Sequence, residues 1–268
     1  MLIFLPYLKA LAEKNNVKIS LLAKKTSRSS ELFKAENFLD EIIDLDSTND
    51  GIRGFFKLSK EIKKRKFDKI YIFNGSLRYK ILAIFAGIKS IYQYPLFTSK
   101  DIIFQTAKVF TEPLVGKILS TEPNLLLKEE DVREAKSTYR INEKTKNIVL
   151  GVSASGPTKR WDIANYIKLA TQLSQYKECK FFIAVGKDDL EIIDKIKKSN
   201  INTICMTMEK LSISNILTII KNCNLYIGND TGFMHMSAAL GIKSIGIFTD
   251  SPAYSYSGYS KNIVPIVP

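Results

Sequence analysis

The only histidine in the chain, His235, lies five residues after a carboxylate in the stretch YIGNDTGFMHMSAALG, residues 226–241. An apolar run, Leu225 to Ile227, stops at Gly228. Polar Asn229, Asp230, Thr231 and Gly232 follow, and a small-residue helical pattern then runs to Gly241. A strand feeding a helix in this way leaves the first helical N–H groups unpaired at the positive end of the dipole, and that makes an anion site. Gly232 removes a side chain that would block approach, Thr231 adds a hydroxyl donor, and His235 can donate to a phosphate oxygen one turn in. Asp230 would cap the helix or hold a sugar hydroxyl. A plain aspartate N-cap, contributing about 0.5–2 kcal/mol, also explains Asp230. The sole imidazole placed beside it favours a ligand site.

Two further loops carry related chemistry. In GVSASGPTKRWDIANYIKLA, residues 151–170, the small residues Ser153, Ala154, Ser155 and Gly156 let backbone approach a ligand. Lys159 and Arg160 then supply positive charge, and a helix begins near Asp162, so the loop suits a phosphate. Ser-Gly-Pro is also ordinary turn chemistry. In VGKDDLE, residues 185–191, Asp188 or Asp189 could accept hydrogen bonds from ribose hydroxyls, or simply cap a helix. Neither G-x-G-x-x-G after an early strand nor G-x-x-x-x-G-K-[ST] occurs. All three loops follow strand-like runs, so they are expected to converge on one nucleotide diphosphate.

The elements that must hold these loops alternate. Strand-length apolar runs at 17–23, 41–45, 69–73 and 90–94 are separated by helical patterns, and helices are predicted at 2–14, 29–37, 52–66 and 77–86. The rhythm resumes with strands at 147–153, 179–185, 201–206, 224–228 and 243–248, and with helices at 162–176, 188–198, 212–222 and 232–240. Such alternation predicts parallel sheets covered by helices on both faces. Residues 95–146 interrupt it with prolines and then a charged helix and linker. The expected division is therefore residues 1–140 and residues 141–268, each a doubly wound α/β domain, with the ligand at the carboxyl ends of the strands.

Composition narrows the class. The 268 residues are 45% hydrophobic, carry a formal net charge of +13, and include three scattered cysteines. Such cysteines form neither a disulfide framework nor a metal site, so no metal is expected. No stretch approaches the ~18 apolar residues of a membrane span. The opening residues lack the pattern of a secretory leader, so the chain is expected to be cytoplasmic. The densest basic segment is FFKLSKEIKKRKFDK, residues 55–69. There Ile52, Phe55, Ser59 and Ile62 share one helical face, and Lys57, Lys60, Lys63 and Lys64 occupy the other. A solvated lysine face explains this as well as attraction to an anionic surface does. Without an RNA-binding signature, an acidic lipid surface is favoured over nucleic acid.

The chain resembles the heptosyltransferase-like glycosyltransferases, family 9. Lys159-Arg160-Trp161 after a small-residue loop is similar to that family's Lys-x-Trp. The run Asp230-Thr231-Gly232-Phe233-Met234-His235, followed by Ala238-Ala239-Leu240-Gly241, is similar to its Asp-[Ser/Thr]-Gly-x-x-His helix start. Order, spacing and strand context agree over about residues 147–250.

The resemblance implies a GT-B fold, two Rossmann-like doubly wound parallel-sheet domains facing a cleft, with donor in the second and acceptor on the first. It implies inverting transfer of heptose from ADP-heptose to a lipopolysaccharide or lipid-linked saccharide acceptor at the anionic inner-membrane surface, with no cofactor. Lys159 would contact the donor phosphate, and Thr231, Gly232 and His235 the pyrophosphate. Asp230 would meet the donor sugar or order that loop, Ser153 and Ser155 would lie near the phosphates, and Asp188 or Asp189 would face the ribose. The chain departs from the family at two places. The family's first strand and Gly-Asp turn have no counterpart here, so the catalytic aspartate is expected upstream of Met1. TDSPAYSYSGY replaces a Gly-Pro-Thr after the last strand. A catalytically inactive nucleotide-binding or partner-docking relative is the alternative.

Overall fold

Local sequence signals set most of the elements. In the first part of the chain these are α1 (Leu5–Asn15), β1 (Ile19–Lys24), α2 (Ser29–Leu32), β2 (Leu39–Leu45), α3 (Gly51–Lys64), β3 (Lys69–Ile72), α4 (Leu77–Phe85), β4 (Ser90–Gln93) and α5 (Ile103–Val115). Then follow α6 (Glu129–Thr138), β5 (Lys146–Gly151), α7 (Ile163–Tyr176), β6 (Cys179–Ala184), α8 (Leu190–Lys197), β7 (Cys205–Thr207), α9 (Ile213–Lys221), β8 (Leu225–Asn229), α10 (Gly232–Ala239), β9 (Ser244–Ile247), α11 (Ala253–Ser257) and β10 (Ile263–Ile266). The structure is a computed structural model that describes residues 1–95, 102–154 and 156–268. Short polar side chains start several helices: Ser76 accepts the Arg78 N–H, Asp162 the Ala164 N–H and Ser212 the Asn215 N–H. Each satisfies a donor that the helix cannot use internally.

The chain forms two compact units. One holds Met1, Pro6–Ser29 and Asn37–Ser120; the other holds Leu2–Leu5, Ser30–Glu36 and Thr121–Pro268. Residues 121–140, grouped with the first domain by sequence, pack with the second, where α6 lies against α9. Asn222 Nδ2 donates to the Val132 carbonyl of α6 at 2.8 Å.

In the first unit β1 pairs in parallel with β2, and β3 with β4, as two separate two-stranded sheets. The alternation of strand and helix is as the pattern predicts, but among the described residues no strand joins the pairs into one sheet. Both pairs share a core: Ile43 of β2 and Leu58, Ile62, Leu82 and Ala83 of α3 and α4 are buried, with Leu22, Ile70 and Ile91 packed on them. Ile52, placed on the inward face of α3 by its spacing, is exposed.

The second unit is a six-stranded, all-parallel sheet in the order β10-β9-β8-β5-β6-β7. The order reverses at β5 and β8, and a parallel doubly wound sheet opens a crevice at such a point. β5, β6 and β8 are buried almost throughout, which matches their unbroken apolar runs. Strand β10 was not legible as a strand because Pro265 sits inside it; Pro265 pairs with Gly246 at the sheet's edge, where a missing N–H is tolerated. Ile148, Leu150, Phe181 and Ile183 form the core on one face with Tyr166, Ala170 and Ile196 of the covering helices. No helix among the described residues is long and apolar enough to cross a membrane.

Candidate functional site

The site is built where β5 and β8 lie side by side. Gly151 stands opposite Gly228, and Gly228 opposite Gly246 of β9. The glycines make room for one side chain. A Cβ at Gly151 would come within 1.9 Å of the Tyr226 hydroxyl, and one at Gly228 within 2.5 Å of the Gly151 Cα. The fully buried Tyr226 therefore runs across the sheet, and its Oη donates to the Asn229 carbonyl at 3.0 Å. It also lies 3.4 Å from Thr231 Oγ1, at the start of α10. Burial pushes its phenol well above the usual range, so it stays a neutral donor.

Asn229, wholly buried, joins the loops. Its Oδ1 accepts from the Trp161 N–H and the Tyr166 O–H, each at 3.0 Å. Its Nδ2 donates to the carbonyls of Val152 at 3.1 Å and Ser153 at 3.4 Å. One carboxamide thus fixes the end of β5, the start of α7 and the end of β8 relative to one another. Trp161 packs edge-on to Tyr166, with ring centroids 4.8 Å apart.

Thr231 is the N-cap of α10 and makes no side-chain cap of its own. Beside it, burial raises the pKa of Asp230, while a hydrogen bond from Ser251 and the nearby Lys159 ammonium pull it back. His235 Nε2 is 3.6 Å from Asp230 Oδ1, and His235 Nδ1 is 2.6 Å from Tyr259 Oη. Burial lowers the imidazole to about 4, so at neutral pH His235 is an uncharged donor rather than a cation paired with Asp230. Lys159, Asp230, Thr231, Gly232 and His235 are therefore together at one end of the sheet.

The remaining residues sort differently. Ser153 Oγ donates to Asp189 Oδ2 at 2.6 Å and accepts the Gly186 N–H at 2.8 Å. Arg160 Nη2 donates to Asp189 Oδ1 at 2.7 Å. Asp189, not Asp188, is thus the acid tied into the loops; Asp188 is exposed. Ser155 lies outside the described residues. The exposed Lys57, Lys60, Lys63 and Lys64 belong to α3 in the first unit. A cavity of about 530 Å³ bordered by Arg140, Glu178, Lys180 and Cys205 opens at the amino ends of β6 and β7, away from these residues.

Residues to which the sequence reading gave no role, most of them in TDSPAYSYSGY, do much of the holding. The stretch after β9 contributes Ser251 to Asp230 and Tyr259 to His235. It also braces the 156–159 loop, since Thr158 Oγ1 donates to Asp250 Oδ2 at 3.0 Å and Thr249 Oγ1 to the Thr158 carbonyl at 2.7 Å. The signal was the Ser/Tyr-rich composition of SPAYSYSGY, which is more polar and aromatic than a simple connection needs.

Comparison with known proteins gives the family and the fold. The glycosyltransferase family 9 (heptosyltransferase) model matches residues 55–267. Lipooligosaccharide heptosyltransferase 2 of Campylobacter jejuni subsp. jejuni serotype O:2 is 27% identical over 235 residues, which are 82% of this chain and 68% of that protein. The solved E. coli ADP-heptose LPS heptosyltransferase II superposes with a TM-score of 0.78 at 18% identity, covering 99% of this chain and 86% of that one. E. coli heptosyltransferase WaaC, solved with ADP, gives 0.73 at 11% identity, covering 99% and 89%. These two likenesses establish the GT-B-type fold. With its family's model matched over most of its length, the chain belongs to glycosyltransferase family 9, the heptosyltransferases.

Proposed function

We propose that the chain transfers heptose from ADP-heptose to a hydroxyl of a lipopolysaccharide core acceptor, with inversion at the anomeric carbon. One observation carries the reading: within a heptosyltransferase family, the amino end of α10, Lys159 and a neutral His235 stand together where β5 and β8 end. The ADP in the WaaC structure supports an adenosine diphosphate leaving group. The acceptor oxygen attacks the anomeric carbon opposite the diphosphate. The bond from that carbon to the diphosphate oxygen breaks, its electron pair leaves on ADP, and the acceptor proton passes to a general base. The first N–H groups of α10, Thr231, Gly232, Lys159 and His235 take the charge that develops on the diphosphate. Asp230 orients the donor sugar. Ser153 and Ser155 line the phosphate loop, and Asp188 or Asp189 meets the ribose.

In this reading the second unit binds the donor and the first recognises the acceptor. The enzyme works at the cytoplasmic face of an anionic inner membrane, with Lys57, Lys60, Lys63 and Lys64 toward the lipid. Calorimetric titration of ADP and ADP-heptose into the wild type, Lys159→Ala and His235→Ala tests the donor site. Each variant should lose on the order of 1.5–3 kcal/mol of affinity. Unchanged affinity in both would overturn the assignment. Tight ADP binding without heptose transfer to a core acceptor would instead leave a nucleotide-binding protein.

A further inference from the structure

The α4 helix has two apolar faces. Leu82 and Ala83 are buried in the core of the first unit. Leu77, Ile81, Ile84 and Phe85, at positions i, i+4, i+7 and i+8, form a second stripe that faces outward. Ile52 and Phe56 of α3 extend the stripe, and all six side chains are between 44% and 78% exposed. The two helices are continuous here. Phe56 and Phe85 ring centroids are 5.7 Å apart, and both rings contact Phe55 edge-on at 5.5 Å and 5.8 Å. Scattered exposed apolar residues need no explanation, but a contiguous stripe of aliphatic and aromatic side chains on paired helices marks an interaction surface.

The charge beside the stripe says what covers it. The other exposed side chains of α3 are Arg53, Lys57, Lys60, Lys63 and Lys64, all cations; on α4 Lys80 is exposed. A second copy of the chain would set these cations against one another across a two-fold axis, at a cost in repulsion. A bilayer of acidic lipids satisfies both parts: headgroups meet the lysines, and the boundary of the acyl chains takes the apolar stripe. We propose that the outward face of α3 and α4 is a membrane-docking wedge. Ile52, Phe56, Leu77, Ile81, Ile84 and Phe85 insert at an anionic lipid surface while the neighbouring lysines hold its headgroups. This deepens the membrane part of the proposed function by assigning retention to the apolar residues and attraction to the lysines.

Co-sedimentation with vesicles of phosphatidylethanolamine and phosphatidylglycerol, against pure phosphatidylcholine, tests it. The wild type should bind the anionic vesicles. Ile81→Ser with Ile84→Ser should reduce partitioning at least about tenfold at every salt concentration, because burial of apolar surface is not screened. Replacing Lys57, Lys60, Lys63 and Lys64 by glutamine should weaken binding mainly at low salt. In the variant Ile84→Trp, fluorescence should be quenched by brominated acyl chains beyond the background of Trp161 measured in the wild type. Binding that ignores the two serines, or Ile84→Trp fluorescence that brominated lipid leaves unchanged, would overturn the wedge. So would a stable dimer that those serines dissociate, which would make the face a self-association surface. Titration of ADP into the same variants keeps the two readings apart: intact ADP binding with lost vesicle binding is expected, whereas vesicle binding without ADP binding would count against the donor site alone.

Discussion

His235 Nδ1 lies 2.6 Å from the hydroxyl of Tyr259, a residue 24 positions further along the chain, and that oxygen can either donate to the ring or accept from it. On the other side of the ring, Nε2 faces Asp230 Oδ1 at 3.6 Å. A lone pair on Nε2 would point at a carboxylate; a proton there is attracted to it. The tautomer with Nε2–H follows, with Nδ1 accepting from Tyr259. The only histidine of the chain is thereby held as a directed neutral donor.

Tyr259→Phe keeps the ring's bulk and removes the donor. In the wild type, ¹⁵N spectra of the single histidine should show Nε2 protonated; in the variant the two tautomers should mix. ADP affinity should fall by roughly 0.5–1.5 kcal/mol, the usual net worth of one hydrogen bond. An unchanged tautomer in Tyr259→Phe would mean that Asp230 alone sets it.

His235 also links stability to pH. Its folded pKa is about 4, below the 6.5 of an unperturbed histidine, because burial disfavours the cation. Between those values the unfolded chain binds more protons than the folded one, so stability is full above about pH 6.5 and declines as pH falls toward 4. The loss is on the order of 3 kcal/mol for this group. Urea unfolding across that window should show a steeper pH slope for the wild type than for His235→Asn.

Asn229→Ala should destabilise the second unit by about 2–4 kcal/mol. It leaves the half-buried Trp161 N–H without its acceptor, leaves the buried Tyr166 O–H only the Gly151 carbonyl at 3.3 Å, and opens a small void. Denaturant midpoints measure this directly. ADP binding should weaken as well, since the loops at the ends of β5 and β8 lose their common tie.

Gly228→Ala should be worse than its one added methyl suggests. The new Cβ would meet the Gly151 Cα at 2.5 Å and the Gly151 carbonyl oxygen at 2.6 Å, and backbone in a central strand cannot step aside. A loss of more than about 3 kcal/mol, or insoluble protein, is the expected outcome of such overpacking. Normal thermal stability would show that β5 and β8 can spread.

Much of the fold was present in local pattern. Caps at Ser76, Asp162 and Ser212, apolar periodicity in the helices and unbroken apolar runs in β5, β6 and β8 depend only on neighbours in the chain. The loop between β5 and α7 and the start of α10 just after Thr231 were legible for the same reason, as each lies within one short segment. Tertiary structure decided what those segments touch. The partners of His235, Asn229 and Ser153 are 24, 63 and 36 residues away, and strand order, which no local period encodes, brings them together. Of the adjacent acids, it ties Asp189 to Ser153 and Arg160 and leaves Asp188 exposed. It also decided that α4 keeps Leu82 and Ala83 inside and leaves Ile81 and Ile84 outside, since a helix apolar on both faces contains no statement of which face meets the core.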